Sequence, residues 1–199
     1  VFGATTSGGV AAQTPSITEI EEVIVTASRR DERLRDVPSS VTAIRSEQLA
    51  ELNAHSLEDF ISQIPNINFT GLGASDRMLI LRGISTSTFE QSATVATYID
   101  DVTVGSSTAL AVGSRFKPDI NTFDLERIEV LRGPQGTRYG ANALGGLLKY
   151  VTKSPDTEQV SFDVRLDANS VSHGDNGYGI EAAGNFPLSD TTAIRVSAF

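Results

Sequence analysis

The apolar positions follow three different rules along the chain. Residues 1–20 show no apolar periodicity and are expected to be disordered. Glu21-Glu22-Val23-Ile24-Val25-Thr26-Ala27 is a short β-branched run, followed by a charged stretch from Arg29 to Asp36. There opposite charges alternate without an apolar face, so residues 28–40 read as a solvated linker. From Val41 to Lys153 short helical and strand patterns mix. Val41–Ile44 suits a strand and Ser46–Asn53 a short helix. Ser56-Leu57-Glu58-Asp59 has capping-box spacing, and Leu57, Phe60, Ile61 and Ile64 recur on one helical face that Pro65 ends. Strands are expected at Asn66–Phe69, Met78–Arg82, Ala96–Val102, Ile128–Arg132 and Leu147–Thr152, with Gly/Ser/Thr-rich loops between them. Together they predict a small α+β domain, a mixed sheet with short helices.

After Pro155 the rule changes to strict alternation. Val160, Phe162, Val164, Leu166 and Ala168 alternate with Ser161, Asp163, Arg165, Asp167 and Asn169. Ten such residues match the ~9–11 of a tilted membrane strand. Ser170–Gly177 is a loop. Tyr178, Ile180, Ala182 and Phe186 mark a second strand, Pro187-Leu188-Ser189-Asp190 a tight turn, and Ile194, Val196 and Ala198 a third strand. A long loop followed by a short turn is the asymmetry of outer-membrane barrels. The same pattern also suits three half-buried strands of a soluble sheet. Three strands cannot close a barrel, so a membrane reading implies a truncated chain with residues 154–199 as its first barrel strands.

Composition narrows the chemistry. A net charge of −9 opposes nucleic acid binding. With no Cys and only His55 and His173, no metal site, thiol chemistry or disulfide framework is expected. Gly140 to Gly145 has the spacing of half a P-loop, but Gly146 and Leu147 stand where Lys and Ser/Thr would cradle phosphate. No apolar run approaches the ~18 residues of a spanning helix, a test that barrel strands escape. Val1–Gln13 reads either as a signal-peptide remnant cleaved after Ala12 or as a low-complexity extension.

The densest signal is Leu125–Lys153, LERIEVLRGPQGTRYGANALGGLLKYVTK. Gly133, Gly136, Gly140, Gly145 and Gly146 lie between two apolar strands, which calls for positive φ or close backbone packing rather than flexibility. Glu129, Arg132-Gly133-Pro134, Tyr139-Gly140, Gly145-Gly146 and Thr152-Lys153 resemble the end of the plug domain of TonB-dependent outer-membrane receptors. The resemblance covers about residues 21–199. It departs at Asp101, where the family has Gly in a V-D-G-V turn, and at Lys149-Tyr150, where a small or apolar pair is usual.

The resemblance implies that residues 21–27 hold a TonB box, with Glu22, Val23, Ile24, Val25 and Thr26 adding as a strand to TonB. The run also reads as an ordinary first strand of the plug. It further implies a plug domain over 41–153, with Arg82, Glu129 and Arg132 meeting the barrel wall. Leu-Arg-Gly ends both Met78–Gly83 and Ile128–Gly133. Substrate contacts would come from apical loops carrying Leu72, Arg77, Phe89, Glu90, Gln91 and Leu110. The implied activity is uptake across the bacterial outer membrane. TonB, with ExbB/ExbD and the proton-motive force, would supply the energy, and outer-membrane lipid would surround the barrel. The cargo would be an iron chelate, cobalamin, a glycan or an aromatic compound, with no cofactor, no enzyme activity and no nucleic acid involved. The rival is a soluble periplasmic α/β binding or hydrolytic domain with a β appendage.

Overall fold

The computed structural model describes residues 23–27, 29–73, 76–85, 93–105, 120–170, 174 and 176–199, without the side chains of 71–73, 76 and 77. In chain order the elements are β1 (Ile24–Val25), β2 (Glu32–Arg33), a 3-10 turn (Leu34–Asp36), β3 (Ser40–Arg45), α1 (Ser46–Glu51), α2 (Leu57–Ile61), β4 (Ile67–Gly73) and β5 (Asp76–Leu81). They continue with β6 (Val95–Ile99), β7 (Val102–Val104), β8 (Leu125–Arg132), α3 (Gly136–Tyr139), β9 (Gly146–Thr152), β10 (Ser161–Ser170), β11 (Asn176–Ser189) and β12 (Thr192–Ala198).

The centre is a five-stranded sheet in the order β3-β8-β9-β6-β7, in which only β6 and β9 pair in parallel. β8 and β9 are buried almost continuously, as strands covered on both faces are, although Arg127, Glu129 and Lys149 stand among their buried residues. One face carries Ile128, Val130, Leu148 and Tyr150 and packs with Leu49, Leu57, Phe60 and Ile64 of the helical layer and with Leu79 and Leu81 of the β4-β5 hairpin. The capping box holds as expected: the Asp59 carboxylate accepts from the backbone N–H groups of His55 and Ser56, each at 2.9 Å.

The opposite face carries Leu131 and Leu147 beside Tyr98, and its cover comes from the N-terminus. Val25, Ala27 and Val37 are buried there with Tyr139 and Ala143. Residues 28–40 therefore do not behave as a plain solvated linker. β2 pairs antiparallel with β1, and the Leu34 N–H bonds the Val23 carbonyl at 2.9 Å. The reason lies in β8 and β9, whose second face carries Leu131 and Leu147 and needs a covering layer, while the linker's charges stay on the outer side.

Two smaller differences concern strand ends. The strand expected over Ala96–Val102 breaks into β6 and β7, because Asp100 takes φ 50° and turns the chain. The turn expected at Pro187–Asp190 lies further on, at Asp190-Thr191: β11 runs to Ser189 through a register shift between Pro187 and Ser189. Residues 1–20 lie outside the described residues.

β10, β11 and β12 form a separate antiparallel meander. Phe162, Val164 and Leu166 are exposed, as are Tyr178, Ile180, Ile194 and Val196 on the neighbouring strands. The other face holds Asp163, Arg165, Asp167, Glu181 and Arg195 and turns toward the mixed domain. Asn185, fully buried, ties down the connection between the two parts: its side chain accepts from the Asp156 N–H at 2.9 Å and donates to the Asp156 and Gln159 carbonyls.

Candidate functional site

The glycine-rich loop after β8 is closed by two backbone bonds, Gly133 N–H to the Gly145 carbonyl at 2.9 Å and Gln135 N–H to the Ala143 carbonyl at 2.8 Å. Gly133, Gly140 and Gly146 have positive φ, Gly145 packs against the Thr94 and Leu81 carbonyls, and Gly136 is open. At Gly146 a side chain would overlap the Leu131 carbonyl of the paired strand. Pro134 is exposed at the start of the loop.

This loop delivers Tyr139 to the N-terminal segment. The Tyr139 ring is buried edge-on against Tyr98, whose hydroxyl donates to the Tyr139 carbonyl. The Tyr139 hydroxyl reaches the carbonyls of Thr26 and Ala27 at 3.2 and 3.0 Å. Burial first, then the Glu129 carboxylate, pushes this hydroxyl up to about 12, so it remains a donor. The Arg29 guanidinium lies 5.2 Å above the ring.

Glu129 completes the contact. Its Oε1 accepts from the Thr26 N–H at 2.8 Å, from the Thr26 hydroxyl at 3.2 Å and from Arg127 Nε at 2.7 Å. Glu129 is fully buried within the mixed domain, so it does not meet the wall as the sequence reading had it. The cause is register: Glu129 sits on the face of β8 that the N-terminal segment covers. Among the expected TonB-box residues, Val23 is half-buried, Ile24 is exposed and Val25 is fully buried. Ile24 borders a groove lined by Arg45, Glu47, Glu126 and Arg127. Glu22 lies outside the described residues.

Arg82 and Arg132 come together at the ends of the two Leu-Arg-Gly strands, with Arg82 Nη1 3.5 Å from where a side chain on Gly133 would begin. Arg132 donates to the Thr42 hydroxyl at 2.8 Å, and Arg82 is exposed. The two departures in sequence answer one another: the buried Lys149 ammonium meets Asp101 at 3.4 Å.

The junction with the meander uses residues the sequence did not single out. Arg195 grips Asp124 through Nη2 and Nε and also reaches Asp163. Glu181 accepts from the Asn121 side chain at 2.6 Å and pairs with Arg165 at 3.2 Å, while Arg165 stacks over Phe123. The polar half of the period-2 pattern was the available signal for the wall side. Asn121 and Asp124 sit in an irregular stretch and had none.

His55, Asp167 and Glu181 bring possible metal-ligand atoms within 4.8 Å of one another. Yet His55 turns Nε2 to Asp167 and Nδ1 to Glu181, and Arg165 already neutralises Glu181. Opposite ring nitrogens cannot serve one ion, so His55 here bridges two carboxylates of the meander rather than joining them around one metal. Phe89, Glu90, Gln91 and Leu110 lie outside the described residues, as do the side chains of Leu72 and Arg77.

A mixed sheet with an N-terminal strand docked under a glycine loop, seated against strands that are apolar outside and charged inside, defines a plug with its wall. The family profile of the TonB-dependent Receptor Plug Domain matches residues 33–147. The chain belongs to this family. It is 33% identical over 153 residues to the vitamin B12 transporter BtuB of Vibrio vulnificus, covering 75% of this chain and 23% of that protein. It is 29% identical over 161 residues to the ferrichrome outer membrane transporter/phage receptor of Escherichia coli, covering 77% of this chain and 20% of the other. The siderophore receptor PiuA of Acinetobacter baumannii shares the fold with a TM-score of 0.62 at 20% identity, over 83% of this chain and 21% of that one. The chain thus spans about a quarter of the length of the curated relatives it matches. These relatives are receptors and transporters, not enzymes, and the chain is an outer-membrane protein as they are.

Proposed function

We propose that this chain supplies the gating plug and the energy-coupling box of an active transporter in the bacterial outer membrane. The observation that carries the reading is the extended segment Val23–Thr26, docked against the plug by few bonds and preceding it in the chain. A segment of this kind can leave the plug and add as a strand to a TonB sheet edge in the periplasm. About five backbone hydrogen bonds at a net ~0.5–1.5 kcal/mol each, less the ordering entropy, give a weak partner contact that can cycle. TonB with ExbB/ExbD would draw on the proton-motive force. The cargo is a scarce chelate of the kinds for which the relatives are named, cobalamin or siderophore iron, and no reaction is performed on it.

The outward apolar stripe of Phe162, Val164, Leu166, Tyr178 and Ile180 suits lipid and disfavours the soluble-domain reading. The test uses cross-linking of the intact receptor to a TonB C-terminal domain together with uptake of a labelled chelate. Ile24→Pro removes a ladder donor and fixes φ, and should abolish both; Ile24→Val should leave both near wild type. Equal cross-linking by the two variants would end the strand-addition reading.

A further inference from the structure

The face of the sheet under the N-terminal segment is unlike the opposite one. The helical layer covers hydrocarbon: Ile128, Val130, Leu148 and Tyr150. The N-terminal segment covers a face that mixes Leu131 and Leu147 with Glu129, Arg127 and Lys149, all of them buried. Glu129 is fully buried, and its Oε2 has no hydrogen-bond partner among the described residues. An unsatisfied buried carboxylate oxygen is a cost that water would relieve. A permanent interior has no use for such a face, whereas a surface that is periodically wetted does.

Apart from the β1-β2 pairing and the Leu34–Val23 bond, the side-chain contacts that tie the segment to the sheet face one point among the described residues. On Thr26 and Ala27 the Glu129 carboxylate takes the N–H and hydroxyl, and the Tyr139 hydroxyl gives to the two carbonyls. Strand addition to a partner would need these backbone groups free, together with those of Ile24 and Val25 that now pair with β2. Val25, fully buried, is inaccessible while they hold. We infer that Glu129 and Tyr139 form a catch that keeps residues 23–27 docked, over a sheet face built to be hydrated when the segment is released. The inference rests on the reading of Val23–Thr26 as the coupling box. It assigns Glu129 and Tyr139 the role of positioning residues that set how often the box is free. Arg127 steers the carboxylate from 2.7 Å, and the Gly133–Gly145 loop closure sets the height of the Tyr139 ring.

These 199 residues hold no cysteine, and labelling of the receptor without any added thiol is subtracted as background. The intact receptor carrying Val25→Cys is treated with a water-soluble maleimide in outer-membrane vesicles, alone and combined with Glu129→Gln or Tyr139→Phe. Each added substitution should speed labelling by roughly tenfold, the factor that loss of one charge-assisted or buried hydrogen bond carries. Tyr139→Phe keeps the ring and its packing, so it guards against a variant that merely fails to fold. Ala54→Cys, buried in the other core, should label no faster in either background. Unchanged rates at position 25, or equal acceleration at position 54, overturn the catch. Cross-linking of an Ile24→Cys receptor to TonB is read in parallel. If it is absent even with Val25 freely labelled, the coupling-box reading fails while the catch stands.

Discussion

Arg195 of β12 holds Asp124 of the plug across 71 residues of chain, with Nη2 at 2.6 Å and Nε at 3.0 Å from the same carboxylate oxygen. This is the strongest contact described between plug and wall, and both side chains are largely buried. A forked guanidinium on a carboxylate is directional as well as strong, so it fixes orientation and not merely proximity.

Arg195→Ala strands the Asp124 charge, and removing one partner of a buried pair costs ~3–5 kcal/mol. In the intact receptor the plug should seat loosely, read as increased entry of a large antibiotic into cells. Arg195→Ala combined with Asp124→Ala leaves no stranded charge and should leak less than the single variant. Equal leakage in both would mean the pair does not hold the seat.

Gly146 offers a sharper structural test, because its φ of 141° and its approach to the Leu131 carbonyl leave no room for a methyl group. Gly146→Ala must break the start of the β8-β9 pairing or shift β9, a backbone strain of ~1–3 kcal/mol or more. The variant receptor should lose the protease resistance of its plug, whereas Gly136→Ala, at an open position, should retain it.

Much of this architecture was legible in the sequence because it rests on period. The one-sided helix bearing Leu57 and Phe60, which ends at Ile61 rather than running to Ile64 as expected, and the alternation from Phe162 to Leu166 both state their buried or exposed face directly. The glycine motif announced its loop through spacing. What stayed hidden depends on pairings distant in sequence. Nothing near Thr26 marks Glu129, 103 residues away, as its acceptor. Nor does a charged linker reveal that Val37 will be buried, since one apolar residue makes no pattern. Asp101 and Lys149 looked like separate departures until the fold placed them together.

Asp59 predicts a pH dependence. Burial raises its carboxyl, but the N–H groups of His55 and Ser56 and the Ser56 hydroxyl outweigh burial and leave it below the ordinary carboxylate value. A depressed folded value means the cap contributes fully above about pH 4 and is lost as pH falls through that lower value. Asp59→Ala should remove ~1 kcal/mol of local stability at neutral pH. Amide exchange over residues 55–61 in the detergent-solubilised receptor, corrected for intrinsic rates, should then be faster and flat with pH. Wild type should approach the variant only in acid. A wild-type profile as flat as that of the variant would remove Asp59 from the cap.

The last prediction concerns which side of β10 meets lipid. Val164 is exposed, while Arg165 next to it pairs with Glu181 and stacks on Phe123 under the plug. An arginine on the lipid face near the midplane costs ~2–4 kcal/mol, so Val164→Arg should block assembly into the outer membrane. Arg165→Val adds no charge to lipid and should assemble, but it strands Glu181, whose side chain is 7% exposed, and should loosen the plug. The two variants therefore fail in different assays, one by absence from the membrane fraction and the other by leakage. Single cysteines give the same answer independently. A lipid-soluble thiol probe should reach position 164 and not 165, and the reverse pattern would mean that the strand is inside out.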